Sequence, residues 1–283
     1  MPYQSRPRDK VLEMIAQMGG NIWTECTAFA AGGVGTARTQ VENHLIPDKA
    51  KTLVGWRPID IPAIEAVAES SLSVFDIAGT NYNFQPQEVI CGNVADAVLG
   101  ATGGMTHSES EYYDVFAPVA GGETIDVGIE PCDAIAGNRR AAVEFTWTDV
   151  RLPLPVIYSR ASREIALTAA TAGIFNGTTF PISNAQELIE VGGVATHSVV
   201  AAAEEIDITL ILKCTALPVN EIRVLFEPTG SVEVATPGGF AAYLTRRLER
   251  MRFSQPSVNV LADFNLDIAL TTAGQAVHYI RWT

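Results

Sequence analysis

The stretch THSESEYYD, residues 106 to 114, holds a dense group of potential metal ligands. Glu109, Glu111 and Asp114, with His107 beside them, could converge on a Ca²⁺ ion if the segment curls, because hard cations bind several oxygen ligands. Alternating Ser and Glu is equally typical of a solvated loop, or of an edge strand whose charges prevent unwanted pairing. The loop is the favoured interpretation, and neither a resident metal nor another cofactor is expected.

Catalytic motifs are missing from the sequence. GGVGTAR, residues 32 to 38, has the first two glycines of a dinucleotide-binding fingerprint, but Arg38 stands where the third should be. There is no G-x-S-x-G, no P-loop and no H-E-x-x-H. The dispersed histidines are predicted to be packing or surface residues: His44, His107, His197 and His278. We therefore expect no enzyme, although a site assembled from distant residues would leave no such motif.

Two basic segments could contact phosphate groups. RPRDK near the N-terminus and RRLERMR farther along contain Arg6, Arg8 and Lys10, and Arg246, Arg247, Arg250 and Arg252. Either segment could meet packaged DNA or lipid head groups, and such contacts would be sensitive to salt. Aromatic residues are not interleaved with these bases, so sequence-specific reading of nucleic acid is not expected. For residues 246 to 252, a solvated helix face or arginines paired across a subunit interface are equal alternatives.

Charge is strongly segregated along the chain. The net charge is −13, and residues 58 to 138 contain thirteen acids and no Lys or Arg, so the remainder is balanced. This pattern indicates a polarised surface, unless the charges simply fall in solvated loops. Hydrophobic residues make up 47% of the chain and charged residues only 18%. Such a composition suits extensive subunit contacts, and it suits a well-filled monomer core equally well.

Cellular location can be bounded from the ends and the cysteines. The N-terminal apolar stretch is short, is broken by Glu13 and Gln17, and lacks a cleavage site, so no secretory signal is predicted. The most apolar stretch, residues 191 to 203, is too short and too polar to span a bilayer. No C-x-x-C occurs, and free thiols in a reducing compartment are favoured over bridges for Cys26, Cys91, Cys132 and Cys214.

Helical signals are few. Asp9 can cap a segment in which Val11, Leu12, Ile15 and Met18 recur at helical spacing, and Gly19-Gly20 would end it. This segment is predicted to be an N-terminal helical arm. Two further helices are predicted at residues 184 to 191 and 240 to 251.

The rest of the chain has β character. Short stretches rich in branched and aromatic residues alternate with Gly, Pro, Asn and Thr, without a regular strand-helix alternation. Asn176-Gly177 predicts a type I′ hairpin turn, which is preferred here over a glycosylation sequon. This pattern predicts an all-β protein made of sandwiches or barrels rather than a parallel-sheet enzyme.

The chain has features of an internal duplication. FTWT, containing Trp147, and IRWT, containing Trp282, superpose with an offset of 135 residues, and acid-led strands begin at Glu69 and Glu204. The stretches at 21 to 32 and 164 to 173 also resemble each other, 141 to 143 residues apart. The predicted organisation is an N-terminal arm over 1 to 20, a first β-sandwich over 21 to 152 and a second over 153 to 283. HYIRWT at the end is predicted to pair inside a sheet.

Two similar β-sandwiches in tandem, closed by AVEFTWTD and AVHYIRWT and preceded by the arm RPRDKVLEMIAQM, resemble the double jelly-roll major capsid proteins of tailless icosahedral double-stranded DNA viruses. The resemblance implies two jelly rolls side by side and a homotrimeric, pseudo-hexagonal capsomer. It also implies an arm or base that faces the shell interior, packaged DNA or an internal membrane, and contacts with other capsid proteins. The location would then be the virion, assembled in the host cytoplasm.

Two classes of function follow from these patterns. The first is a structural, self-assembling shell protein that has no small-molecule substrate. The alternative is a ligand-binding β-sandwich, for instance a glycan-binding module, in which exposed Trp23, Trp56 or the pair Tyr112-Tyr113 would stack on sugar rings. Because aromatic residues make up only 8% of the chain and are easily placed in strand cores, the shell protein is preferred.

Overall fold

The computed structural model describes residues 7–30, 38–62, 70–79, 88–95, 104–106, 113–131, 139–152, 159–167, 172–177, 179–198, 205–206, 208–225, 229–230, 239–267 and 274–283. These residues form one helix, α1 (Pro7–Gln17), and twenty strands. No helix among them combines the length and the apolar character needed to cross a membrane.

The strands fall into two consecutive groups. The first group is β1 (Ile22–Ala30), β2 (Thr39–Leu45), β3 (Thr52–Pro62), β4 (Ser70–Gly79), β5 (Val89–Ala95), β6 (Gly104–Thr106), β7 (Tyr113–Pro118), β8 (Thr124–Pro131) and β9 (Arg139–Thr148). The second group is β10 (Ser159–Leu167), β11 (Gly173–Phe175), β12 (Thr179–Ile182), β13 (Glu187–Ser198), β14 (Glu205–Ile206), β15 (Ile208–Lys213), β16 (Glu221–Leu225), β17 (Thr229–Gly230), β18 (Gly239–Arg252), β19 (Val258–Leu266) and β20 (Gly274–Trp282).

Each group forms two antiparallel sheets that share one core. In the first group the sheet orders are β1-β9-β3-β7 and β2-β8-β4-β5-β6. In the second they are β10-β20-β13-β18 and β11-β19-β15-β16, with β12 also on β19, while β14 and β17 form a separate pair. One apolar cluster fills each pair of sheets, with Trp56 and Phe145 facing Phe75 in the first sandwich, and Ile280 and Trp282 sharing a cluster with Phe264 in the second.

The strand order of both sandwiches is that of a jelly roll. If the eight principal strands of each unit are counted along the chain, strands one, eight, three and six form one sheet, and strands two, seven, four and five form the other. This interleaving of eight strands in two sheets is the double Greek key of the jelly roll. The predicted fold class is therefore confirmed, whereas the boundaries at residues 20 and 152 stay a prediction.

The strand register repeats with the predicted offset. Adding 135 to both members of the pair Leu53 and Trp147 gives the pair Leu188 and Trp282. The same operation takes the pair Phe75 and Ile129 to Leu210 and Phe264 on the opposite sheets. Two sequences that share one register over four pairs of central strands are two copies of one structural unit.

A β-bulge is repeated together with the register. In β3 the register shifts between Leu53 and Gly55, and in β13 it shifts between Leu188 and Glu190. A bulge inserts an additional residue and turns a side chain away from the core. Each bulge here turns one apolar residue outward, Val54 in the first sandwich and Ile189 in the second, and both lie in the cluster around α1.

Helix α1 packs on the two bulges. Ile15 is fully buried and joins Val54, Phe116 and Leu152 in one cluster, with Ile189 against it. The helix ends in a Schellman motif, because the Gly20 amide donates to the Ile15 carbonyl (2.9 Å) and the Gly19 amide to that of Ala16 (3.0 Å). Gly19 has the left-handed φ of +70° that this motif requires. The predicted helix is confirmed, but Asp9 lies inside its first turn rather than at its cap.

Both additional helix predictions are wrong. Residues 187 to 198 form β13, and residues 239 to 252 form β18, which pairs with β13 along its length. Asn184 has a φ of +55°, and the Gln186 and Glu187 amides donate to the carbonyl of Thr283. Ala, Leu and Arg in β18 have a high helix propensity, but tertiary pairing outweighs it, because a strand at this position completes the sheet over the core.

The hairpin prediction at Asn176-Gly177 is also wrong. Strands β11 and β12 both pair antiparallel with β19, so they are consecutive parts of one interrupted strand and not partners of each other. The Gly177 amide donates to Asp263 Oδ1 (3.0 Å), and a Cβ on Gly177 would collide with the Ala262 carbonyl oxygen. The glycine is required here by close approach of the backbone rather than by positive φ.

The ends of the repeat correct one further prediction. Trp23 pairs with Trp147, and Ser159 pairs with Trp282, so β1 corresponds to β10 with an offset of 136 and not of 141 to 143. All of HYIRWT except Thr283 lies in β20, which pairs with β10 on one side and β13 on the other. The prediction that the last strand is paired inside a sheet is confirmed.

Candidate functional site

Strand β20 presents two chemically different faces. His278, Ile280 and Trp282 point into the second core, whereas Tyr279 and Arg281 alternate with them and point out of the sandwich. Outward side chains of a sheet are normally solvated. Here Tyr279 is fully buried and the Arg281 side chain is only 12% exposed. The outer face of this sheet is therefore covered, and the first sandwich contributes to the cover.

Acidic residues from both sandwiches surround Arg281. Its guanidinium lies 3.8 Å from Asp114 of β7 and 3.8 Å from Glu190 of the β13 bulge. Glu190 is buried, and its Oε1 accepts a hydrogen bond from the Tyr279 hydroxyl (2.8 Å). The bulge supplies Glu190 where the first sandwich has Gly55. The charged contact between the sandwiches is therefore a feature of one copy of the repeat.

Glu88 closes the outer edge of β10. Its amide donates to the Arg160 carbonyl (3.1 Å), and its Oε2 accepts from the Ser162 amide (2.6 Å). Arg163 adds a longer contact to the same carboxylate (3.5 Å). An open sheet edge invites pairing with other chains, and Glu88 occupies this one with a residue of the first sandwich. We call the set Glu88, Asp114, Arg160, Ser162, Glu190, Tyr279 and Arg281 the seam.

Burial controls the electrostatics of the seam. The Arg160 guanidinium lies 3.4 Å from the centroid of the Tyr279 ring, a cation–π contact in a buried setting. Burial is the main cause that raises the pKa of Glu88 above its ordinary value, and the hydrogen bond from Ser162 opposes it. A raised folded pKa stabilises the fold below the unfolded value of 4.5, and this contribution is lost as pH rises through the folded pKa. The Glu88 contact therefore tolerates acid.

The first sandwich carries a different pattern on the equivalent face. Arg57 of β3 and Glu144 of β9 form a half-buried ion pair (2.8 Å), and Cys26 of β1, opposite Glu144, is exposed. Thr146, which corresponds to Arg281, is 4% exposed, and the side chain of Glu144, which corresponds to Tyr279, is 16% exposed, so this face is also largely buried.

A second polar group lies on the outer sheet of the first sandwich. Arg38 makes a bidentate pair with Asp76 (2.8 and 2.9 Å), and Asp126 and Glu130 add to the acidic field that, behind the Asp76 bond, raises the Arg38 pKa. A side chain on Gly128 would collide with this pair. Three acids of the segment 58 to 138 therefore lie together on one sheet. Arg38 forms an ion pair with one of them, which is a structural contact and not a contact to a nucleotide.

Each core contains a buried histidine. His44 Nδ1 lies 3.1 Å from the Thr27 hydroxyl, its ring is tilted against that of Phe145 (centroids 4.7 Å apart), and its Nε2 lies 3.5 Å from Glu25. His278 sits at the edges of Phe180 (4.9 Å) and Phe264 (5.5 Å). Burial lowers the pKa of both histidines, and that of His278 reaches about 3. The prediction that these two are packing residues agrees with their positions in the cores.

Acid should destabilise the fold through His278. Its folded pKa lies below the unfolded value of 6.5, so its contribution is complete above pH 6.5 and is lost as pH falls towards 3. Between pH 7 and pH 5, protonation of the unfolded chain should remove about 2 kcal/mol of unfolding free energy. His278→Leu should remove this dependence. Urea unfolding of both proteins at the two pH values measures it, and an equal pH dependence would contradict the assignment.

The predicted phosphate-facing residues are not brought together as one surface. Arg6 lies outside the described residues, and Arg8 and Lys10 belong to α1, where Lys10 is exposed. Arg246, Arg247, Arg250 and Arg252 lie along β18, so they do not form a helix face. Arg247 is in register with Glu190, and Arg252 is 85% exposed beside Glu187 (3.4 Å). Contact with DNA, lipid or a subunit stays a prediction for all seven.

The remaining predicted sites are the acidic cluster at 106 to 114 and the aromatic residues proposed to stack on sugars. Glu109, Glu111 and His107 lie outside the described residues, and Asp114 contacts Arg281. Among the residues that the structure describes, no group of three or more His, Cys, Asp or Glu side chains could hold a metal. Of the proposed sugar-stacking aromatics, Trp56 is fully buried and Trp23 packs on the core, so the idea of an exposed Trp56 is wrong. Tyr112 is outside the described ranges.

The sequence reasoning missed the seam. One signal for it was present in HYIRWT, where Tyr279 and Arg281 alternate with three core residues. A strand with Tyr and Arg on its outer face and aromatic residues on its inner face indicates a covered outer face. Glu88 gave no signal, because its role depends on a backbone edge that is 74 residues away in sequence.

Comparison with known proteins adds the following. No protein-family model and no curated protein matches the chain. Solved structures similar to it include the major capsid protein of STIV, at 10% identity, with 93% of this chain and 97% of that chain covered and a TM-score of 0.41. The tandem CBM22 domain of Paenibacillus barcinonensis Xyn10C is similar at 8% identity, with 94% of this chain and 94% of that chain covered and a TM-score of 0.25. The infectious bursal disease virus VP2 subviral particle is similar at 10% identity, with 92% of this chain and 71% of that chain covered and a TM-score of 0.24.

Proposed function

We propose that this chain is a major capsid protein, a structural component of the virion that assembles into the shell of an icosahedral virus. The observation that carries the proposal is the tandem repeat itself, two jelly rolls with one register and an offset of 135, joined through the seam. Jelly rolls are used in viral capsids, and two in tandem is the arrangement of the double jelly-roll capsid proteins.

The repeat supports a particular assembly. Most soluble homo-oligomers have closed symmetry. Three copies of a chain with two equivalent sandwiches place six jelly rolls around one axis, which gives a pseudo-hexagonal, homotrimeric capsomer. The seam holds the two sandwiches of each chain in a fixed relation, as a building block of a regular shell requires. Further partners in the virion would be other capsid proteins.

The helix end of the molecule is proposed to face the shell interior. Lys10 of α1 is exposed, and Arg252 is exposed beside Glu187, two residues from the α1 contact Ile189. Packaged DNA or an internal membrane would be met there through phosphate groups. These contacts would weaken as salt is raised, since they depend on counterion release or on surface potential.

The glycan-binding alternative has less support. Sugar recognition by stacking needs exposed aromatic faces. Trp56, Trp147 and Trp282 are at most 2% exposed. Among the described residues, Trp23 is the remaining tryptophan, and it packs against the core of the first sandwich.

The mass of the purified protein tests the proposal. Light scattering on a sizing column at low and high salt, with negative-stain microscopy of each peak, should give particles of about three times 30.3 kDa or larger closed shells. A monomer at every protein concentration and salt concentration would overturn the capsomer, and glycan arrays would then become the next assay.

A further inference from the structure

The contact between the two sandwiches of one chain uses one surface from each sandwich. Because the sandwiches are copies of one unit, each also has the surface that its partner uses, and these two surfaces remain. Each sandwich has two surfaces of this kind. The surface at the start of its fifth principal strand, which supplies the inserted residue, is called the donor surface. The outer edge of its first strand, which receives that residue, is called the acceptor surface. Within the chain, the donor surface of the first sandwich, at Glu88, meets the acceptor surface of the second, at Arg160 and Ser162. The donor surface of the second sandwich and the acceptor surface of the first take no part in this contact.

The register identifies the residues on the two remaining surfaces. Val89 pairs with Phe75 and Val224 pairs with Leu210, so Glu88 corresponds to Arg223. Trp23 pairs with Trp147 and Ser159 with Trp282, so Ser162 corresponds to Cys26 and Arg160 to Thr24. The remaining donor surface is therefore β16 at Arg223, and the remaining acceptor surface is the edge of β1 from Thr24 to Cys26.

Both remaining surfaces are exposed, unlike their counterparts in the seam. Arg223 is 67% exposed in its side chain and Leu225 is 55% exposed, and β16 is the last strand of its sheet. Cys26 and Thr24 are exposed on β1, also an end strand. By contrast, Ser162 and Arg160 are 4% and 3% exposed. An exposed strand edge beside an exposed leucine is suited to burial against another chain.

The charges of the remaining pair are reversed relative to the seam. In the seam the donor surface is acidic, and Glu88 meets Arg163 (3.5 Å) of the acceptor strand. On the remaining surfaces the donor residue is the cation Arg223, which pairs with Glu221 of its own strand (2.6 Å), and the acceptor strand carries Glu25, whose side chain is 40% exposed. A guanidinium donates hydrogen bonds and accepts none, so it fits the carbonyl of Thr24 and the carboxylate of Glu25.

We infer that the β16 surface of one copy, at Arg223, docks on the β1 edge of a second copy, at Thr24 to Cys26. The inference rests on the proposed function and assigns the contact that joins one chain to the next. A contact between two different surfaces is heterologous, so it closes into a ring when repeated at the proper angle. The reversed charges distinguish this contact from the seam and prevent one from replacing the other, because like charges would then meet.

A disulfide trap tests the contact with a native cysteine. In the seam, the hydrogen bond from the Glu88 amide to the Arg160 carbonyl and the one from the Ser162 amide to the Glu88 carboxylate bring the two backbones as close as neighbouring strands, about 5 Å apart, within the range of disulfide geometry. Arg223→Cys should therefore crosslink to Cys26 of a second copy under mild oxidation. Non-reducing gels should show covalent species up to three chains. The double variant with Cys26→Ser, and Val219→Cys at another exposed position, should show none.

A charge variant gives an independent readout. Arg223→Glu would place a carboxylate against Glu25 and should raise the concentration needed for assembly at least about tenfold at low salt. Lys49→Glu, at an exposed cation in the loop between β2 and β3, is the matched control and should assemble as the parent protein does. Circular dichroism confirms that each variant is folded.

The outcomes separate this contact from the proposed function. Parent trimers with the crosslink and with weakened assembly of Arg223→Glu support both. Parent trimers without a Cys26 crosslink, combined with normal assembly of Arg223→Glu, overturn the contact and leave the capsid proposal standing. A parent protein that is monomeric throughout overturns both.

Discussion

Replacing Trp282 with alanine is expected to lower the free energy of unfolding by about 3 to 5 kcal/mol. The indole is 2% exposed and belongs to the core cluster of the second sandwich, where it pairs with Ser159 on one side and Leu188 on the other. Alanine leaves a cavity that β20 cannot close, because this strand is held between β10 and β13. Urea unfolding followed by far-UV circular dichroism measures the loss.

Trp23→Ala is the matched control for this experiment. Trp23 is only partly buried, on the end strand β1, although it pairs directly with Trp147. Its removal should cost clearly less than that of Trp282, because the end strand can relax and water can enter the gap. Similar losses for the two substitutions would show that position in the sheet does not determine the value of these indoles.

The second large effect is expected from Glu190→Ala. Removing this carboxylate takes away the acceptor of the Tyr279 hydroxyl and one of the two acids near Arg281. Breaking a buried pair by deleting one partner typically costs about 3 to 5 kcal/mol, since a buried charge loses its compensation. Urea unfolding of the variant and the parent protein provides the measurement, and Arg281 still has Asp114 as a partner, which favours the lower end of the range.

Glu187→Ala provides a control three residues away on the same strand. Glu187 pairs with Arg252, whose side chain is 85% exposed, and such surface pairs contribute about 1 kcal/mol or less. If Glu190→Ala and Glu187→Ala have the same stability, the seam does not hold the two sandwiches together. Glu190→Gln keeps an acceptor for Tyr279 and separates the hydrogen bond from the charge.

Strand patterns in the sequence predicted the architecture well for strands that have one apolar face and one polar face. The Trp-containing ends at 147 and 282 indicated a repeat of 135 because core positions in strands that end a unit must be large and apolar, and both indoles indeed occupy one position in the jelly roll. The match between the stretches at 21 to 32 and 164 to 173 was wrong in its offset, since Thr and Ala recur by chance and carry little information about register.

Local signals failed where tertiary contacts decide the structure. Residues 240 to 251 contain good helix formers, and their strand conformation depends on pairing with β13, about 50 residues earlier in the chain. Asn176-Gly177 suits a tight turn, yet Ala262 and Asp263 of β19 force it into an interrupted strand. The seam could not be predicted for the same reason, because Glu88 and Ser162 become neighbours only after two sandwiches have formed.

The packing of α1 has a consequence for the order of folding. The helix is synthesised before both sandwiches, but its contacts Val54, Phe116, Leu152 and Ile189 follow it along the chain. Its burial is therefore complete only after the second sandwich has placed the β13 bulge, and long-range contacts of this kind form slowly. Complete packing of α1 thus requires both β3 and β13 to be in place, so one short helix ties its own burial to the formation of both jelly rolls.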